Sequence, residues 1–162
     1  NAAKTSEFKL ADPDPKKFEY LGYRFLLSSG KFEISPSAAK VTKYRARMNA
    51  AFTDYWRERP VNPKSAFRKL VGRVKFLTGN TRLSNSKSCA VTGIYFNNSV
   101  ATDLSSFELL DKRLKTRIAE LKRTSLQKQL KKHKFTTGFE QRRYHNFSAR
   151  ELQTIVRAWN HG

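Results

Sequence analysis

Phe18-Glu19-Tyr20-Leu21-Gly22-Tyr23-Arg24-Phe25 decides how the rest of the chain is read. Large and polar side chains alternate along it, the pattern of a half-buried strand. Gly22 interrupts the row of side chains, and glycine inside a strand marks a place where another backbone or a ligand comes close. Ser28-Ser29-Gly30 then turns the chain. Lys31-Phe32-Glu33-Ile34 runs back, apolar at every second position, so the stretch predicts a β-hairpin with a glycine-containing turn. Ser35-Pro36 follows at once and opens a long basic helix, serine as the N-cap and proline as the first helical residue.

Working outward, residues 4 to 9 predict a short strand, and Asp12-Pro13-Asp14-Pro15 predicts a loop, because the two prolines lack backbone donors and push their predecessors out of helix. Helix one is expected from Pro36 to about Tyr55. Ala38, Val41, Tyr44, Met48, Phe52 and Tyr55 share one face, while Lys40, Lys43 and Arg47 share the opposite one. That basic stripe suits a phosphate backbone, although most such stripes are solvated helix faces. Arg45 falls near the apolar face. Helix two starts at Pro63 behind an Asn62 cap and stops at Gly79, with Phe67, Leu70, Val71, Val74 and Leu77 as its stripe. From Gly79 to Ser88 a polar loop is expected, and Ala90 to Phe96 reads as extended. Helix three begins near Asp103 or Ser105, with Asp111 the one polar residue on its inner side. Its basic helical pattern runs on to Lys134, where Thr136-Thr137-Gly138 is expected to break it. Ser148-Ala149-Arg150-Glu151 is a capping box that opens a last helix through Leu152, Ile155, Val156 and Trp159. The fold class is therefore α+β and mostly α: a short N-terminal strand and a hairpin in residues 1–35, then four or five helices in residues 36–162.

The chain has 162 residues, enough for one domain with a core. It begins at Asn1 with Met48 as its one methionine, which reads as a piece of something longer, with cleavage of a targeting segment as the other explanation. Net charge is +20, from 33 Lys and Arg against 13 Asp and Glu, spread along the whole chain. A domain this basic repels itself until a polyanion neutralises it, so nucleic acid is the expected partner and an anionic membrane the second. No apolar run approaches the about 20 residues of a spanning helix. The single Cys89 excludes an internal disulfide and a cysteine-rich zinc site, fits a reducing cytoplasm, and reads as a small buried hydrophobe beside Ala90 and Val91.

Asn1-Ala2-Ala3-Lys4-Thr5, a short spacer, the Tyr20-Leu21-Gly22-Tyr23 hairpin and a basic helix together resemble the end of the palm and the start of the thumb in bacterial reverse transcriptases. The likeness covers about residues 1 to 35 and is architectural beyond. It implies a thumb-like helical region that grips an RNA template and its RNA–DNA duplex during RNA-templated DNA synthesis. Within the family, a helical tail without zinc or nuclease motifs leans toward retron-like or phage-defence-associated enzymes over intron maturases, with a structured non-coding RNA as a further partner. Lys4 would be the general acid that protonates the leaving pyrophosphate. Tyr20, Leu21, Gly22 and Tyr23, with Arg24 beside them, would form the primer grip, whose rigidity matters because phosphoryl transfer depends steeply on the position of the attacking hydroxyl. Polymerases hold two metal ions on clustered carboxylates. This chain has no Tyr-x-Asp-Asp, so the Mg2+ ligands would lie on the missing palm and fingers, and the piece alone would be inactive.

Other chemistry is poorly supported. His133, His145 and His161 have no paired metal-ligand spacing and read as surface or nucleic-acid-facing side chains. Val91-Thr92-Gly93 is similar to a triplet of retron enzymes, in a different context, and carries no function here. Phe139, Tyr144 and Phe147 lie among Arg142, Arg143 and His145. Such mixtures stack single-stranded bases, or pin a helix down, and the second is the commoner use. Arg142 and Arg143 join Lys40, Lys43 and Arg47 as candidate nucleic-acid contacts. The alternative to a polymerase piece is a non-catalytic basic RNA-binding protein, associated with the ribosome or another ribonucleoprotein.

Overall fold

The computed structural model describes residues 16–28, 30–83 and 90–159. Lys4, the expected strand at residues 4–9, the Pro13–Pro15 loop, Cys89 and His161 lie outside them.

Strand β1 (Lys16–Tyr20), β2 (Tyr23–Ser28) and β3 (Lys31–Pro36) form an antiparallel sheet in the order β1-β2-β3. The expected single strand through residues 18–25 is two strands. Tyr20 pairs with Tyr23, so Leu21 and Gly22 form a two-residue turn. Both have positive φ, 48° and 77°, the backbone a tight hairpin needs. The pattern concealed this because leucine is a costly residue in the left-handed region. The expected second turn stands, closed by the Ser28–Lys31 pair.

The β2–β3 ladder runs on until Tyr23 faces Pro36, so Ser35 and Pro36 belong to the strand and not to the helix. The cap is Ser37, whose side chain accepts from the Lys40 N–H. Helix α1 (Ala38–Glu58) and α2 (Pro63–Thr78) follow, the second capped by Asn62 as its sequence dictates. Lys69 donates to Glu58 at 2.8 Å and Arg73 pairs with Asp54, so the contacts run in opposite directions along the two helices and α1 and α2 are antiparallel.

Part of the expected loop after Gly79 is strand β4 (Asn80–Arg82), which pairs with β5 (Val91–Gly93). Helix α3 (Ser105–Ala119) starts where predicted, but the basic helical pattern after it divides into α4 (Thr124–Leu130) and α5 (Phe135–Glu140). Thr136-Thr137-Gly138 is therefore inside a helix. The reason is Asp111, the polar residue on the inner side of α3. Its carboxylate accepts from the Phe135 N–H at 2.6 Å, the Thr136 N–H at 3.2 Å and the Thr136 hydroxyl at 2.7 Å, capping α5 from a distance. Helix α6 (Ala149–Arg157) carries the predicted Ser148–Glu151 capping box. The architecture is α+β with a three-stranded antiparallel sheet followed by helices; six are described, α4 and α5 being short.

The core lies among the helices. Met48, Phe52 and Tyr55 of α1, Leu70, Val74 and Leu77 of α2, and Phe107, Leu110 and Leu114 of α3 meet Leu126, Leu130 and Phe135. Arg73 lies within this body at 3% exposure, held by Asp54, which also pairs with Arg57. Asn80 is buried and gathers three segments. Its Oδ1 accepts from the Tyr95 N–H at 2.9 Å, its Nδ2 donates to the Arg143 carbonyl at 3.2 Å, and its backbone bonds Arg143 and His145. Gly93 and Gly138 are the close approaches in this knot. A Cβ on Gly93 would overlap the Asn80 backbone, and one on Gly138 the Thr78 carbonyl.

Candidate nucleic-acid interface

The Leu21–Gly22 turn stands on the first turn of α1. The Ser37 N–H, one of the donors a helix start leaves over, bonds the Gly22 carbonyl at 2.9 Å. Tyr20 and Leu21 face solvent at 63% and 76% exposure. Gly22 lies over the Lys40 stem, where a Cβ would come within 3.0 Å of Cε. The positive φ favours glycine here, and a Cβ would also make the Lys40 stem shift by a few tenths of an ångström.

Tyr23 and Lys40 converge on the carbonyl of Asn97. Tyr23 Oη donates to it at 2.9 Å and Lys40 Nζ at 2.8 Å. The ammonium also sits 3.8 Å from the centre of the Tyr23 ring, a cation–π contact. Partial burial pushes the Tyr23 hydroxyl pKa up and the Lys40 pKa down, because it disfavours the charged form of each. Lys40 thus serves partly as a strut, yet an ammonium has three donors and the Asn97 carbonyl takes one.

Of the predicted stripe, Lys43 is exposed, whereas Lys40 and Arg47 are half-buried. Lys40, Lys43, Tyr44, Arg47 and Asn97 line one small cleft of about 190 Å3. Arg47 stacks on Trp159 at 5.2 Å, and Trp159 Nε1 donates to the Arg47 carbonyl at 3.0 Å, so the end of α6 holds this side of α1. The stripe is therefore not simply a solvated face. Arg24 points from the sheet's other side and bonds Ser35 Oγ at 3.2 Å. The sheet register puts Tyr20 and Tyr23 on one face and Arg24 on the opposite one.

Arg142 and Arg143 part company. Arg142 is exposed, has a left-handed backbone (φ 47°), and lays its guanidinium 4.4 Å from the Tyr95 ring. Arg143 is tied down, donating to the Lys132 carbonyl at 3.0 Å and to Gln141 Oε1 at 2.8 Å. The aromatics around them divide too. Phe139 is in the core, Phe147 packs near Phe76, and Tyr144 stays outside against Phe96.

Sequence spacing missed one pair. His133 and His145, twelve positions apart, meet edge to face with ring centres 5.4 Å apart. Burial first, then the charges of nearby cations, lower both pKa values, that of His133 to about 4. Both rings are therefore neutral at pH 7. Among the described residues, no three His, Cys, Asp or Glu side chains gather into a metal site. The Mg2+ that a polymerase would use concerns carboxylates the resemblance puts outside this chain. No described helix is long and apolar enough to cross a membrane.

The candidate interface is thus an exposed two-residue turn, a tyrosine and a lysine braced on one carbonyl, and two further cations along the same side of α1. Donors and positive charge placed like this hold phosphates in register without reading base sequence. Compared with family models, with curated proteins and with solved structures, the chain shows no match, so the interface is interpreted from its own chemistry.

Proposed function

We propose that the chain grips a nucleic-acid duplex, and that it does so as the palm-end and thumb portion of a reverse transcriptase performing RNA-templated DNA synthesis, of the kind found in antiviral defence. The observation that carries this reading is the Leu21–Gly22 turn, projecting into solvent while bonded through the Gly22 carbonyl to the N-terminus of the basic helix α1. One rigid unit then offers a turn to the primer end and Lys43, Arg47 and the free donors of Lys40 to the adjoining phosphates. The remaining palm and fingers of the same protein would supply the Mg2+-binding carboxylates, and Lys4 the proton for pyrophosphate. An RNA template, an RNA–DNA duplex and a structured non-coding RNA are the fitting partners, in a cytoplasmic setting.

A second reading is a basic RNA-binding protein of a ribonucleoprotein, without catalysis. What favours it is the core that the helices build among themselves from Met48 to Phe139. The reading frame upstream of Asn1 separates the two, because only the polymerase requires Tyr-x-Asp-Asp there.

Duplex gripping itself is tested by salt titration. Removing charge while keeping bulk, with Lys40→Met, Lys43→Met and Arg47→Met together, should weaken duplex binding and flatten the log–log salt slope by roughly 2–3, at about 0.9 per phosphate contact on duplex DNA. An unchanged slope and affinity would remove the α1 face from the interface.

A further inference from the structure

Phe96 and Tyr144 come from segments 48 positions apart, and both remain in solvent, at 40% and 48% exposure. Their rings meet at 5.8 Å, inclined by 62°. Tyr95 packs edge-on to Phe96 at 5.3 Å and carries the Arg142 guanidinium on its ring. The group has a rigid foundation. Asn80 holds both carriers, accepting from the Tyr95 N–H through its side chain and bonding Arg143 and His145, on either side of Tyr144, through its backbone. Asn98 secures the other end of the turn, donating to the Ile94 carbonyl at 2.8 Å and to Tyr44 Oη at 3.0 Å.

Packing covers these two rings only in part. The aromatics nearest to them in sequence, Tyr95 beside Phe96 and Phe139 and Phe147 on either side of Tyr144, turn toward the body, whereas Phe96 and Tyr144 leave much of their ring area in water. The left-handed backbone of Arg142 belongs to the cap of α5: the Arg142 N–H bonds the Phe139 carbonyl and the Arg143 N–H the Gly138 carbonyl, each at 3.2 Å, so the end of that helix fixes where the Arg142 side chain starts. The cluster also adjoins the interface above. Asn97, the residue after Phe96, is the one whose carbonyl receives Tyr23 and Lys40.

We propose that Phe96 and Tyr144, with Arg142, form a stacking platform for unpaired nucleotides that continue from the duplex held along α1. Exposed aromatic rings flanked by guanidinium groups are how proteins hold single-stranded bases without reading their sequence, since every base has a π face. Charge complementarity selects this occupant, because the platform lies on a chain of net charge +20 and beside Lys40, Lys43 and Arg47. The proposal rests on the duplex-gripping reading and adds to it a second ligand form: a duplex with a single-stranded extension binds better than a blunt one.

The test compares two fluorescent probes on the full 162-residue chain: a blunt RNA–DNA duplex, and the same duplex extended by a short oligouridine tail. The tail should tighten binding at least about fivefold, the low end of one base stacked on an aromatic ring. Phe96→Leu and Tyr144→Leu keep apolar bulk but lose the flat ring, so each should lose most of that gain while blunt-duplex affinity stays within about twofold. Arg142→Gly removes the guanidinium and relieves the backbone, so it folds at least as well and still loses part of the gain. If the tail adds nothing although the blunt duplex binds, the platform is refuted and the grip survives. If the gain persists in both leucine variants, the platform is likewise refuted. If neither probe binds, the duplex reading falls and the platform with it.

Discussion

Gly138 and Gly30 show how differently one residue type can matter. Gly138 sits inside α5, where helix propensity alone would favour alanine. The Thr78 carbonyl occupies the space of its Cβ, so Gly138→Ala must push α5 away from α2. We expect a loss of about 3 kcal/mol or more, read as a lower urea midpoint. Gly30 has φ 74° with nothing within 4 Å, so Gly30→Ala should cost only about 1 kcal/mol of backbone strain. Composition cannot distinguish these glycines, because the deciding atoms come from remote segments. The same limit hid the edge-to-face contact of His133 with His145 and the roles of Asn80 and Arg73. By contrast, Gly22 was legible as a site of close approach, although its use in a turn was not.

Elements were legible where their signals are local. Asn62-Pro63 opens α2, and Ser148 to Glu151 opens α6, because each cap bonds a backbone N–H three residues on. The start of α1 was misplaced by two residues because strand pairing, a long-range matter, claims Ser35 and Pro36. Helix α5 was concealed entirely, since its cap is Asp111 on α3. Asp111→Ala should therefore destabilise the protein by about 1–2 kcal/mol and raise hydrogen exchange at the Phe135 and Thr136 amides, while Asp111→Asn recovers part of the loss. Unchanged exchange at those amides would show that α5 does not depend on the carboxylate. The α1 face was half legible: its three cations share a cleft as their spacing suggests, but the bracing of Lys40 by Asn97 brings together residues 57 positions apart.

Across the whole molecule, excess positive charge meets two groups with the same acid dependence. The His133 pKa falls from 6.5 to about 4 on folding, through burial and then the charges of His145, Lys75, Arg143 and Lys132. The unfolded chain therefore binds more protons between those values. The stability this group contributes is complete above pH 6.5, declines as pH drops, and is gone by about pH 4. Burial by itself would raise the Asp54 pKa, but hydrogen bonds and charge from Arg73 and Arg57 bring it below the usual carboxylate value. Its contribution is likewise lost on acidification, at lower pH. Thermal melts should show a decline from pH 7 to 4, and His133→Gln should flatten the upper part of that decline. An equal decline in the variant would assign the effect elsewhere.

The bond from Ser37 to Gly22 has one more consequence. It ties the loop tip to the start of the helix at 2.9 Å. On the duplex-gripping reading, a partner touching both would be measured, as by calipers, and the strand-to-strand width of its grooves would have to match. A-form and B-form duplexes differ in that width, so the duplex grip proposed above would favour one helical form over the other, and competition between an RNA–DNA hybrid and a B-form DNA duplex of the same length would read that preference.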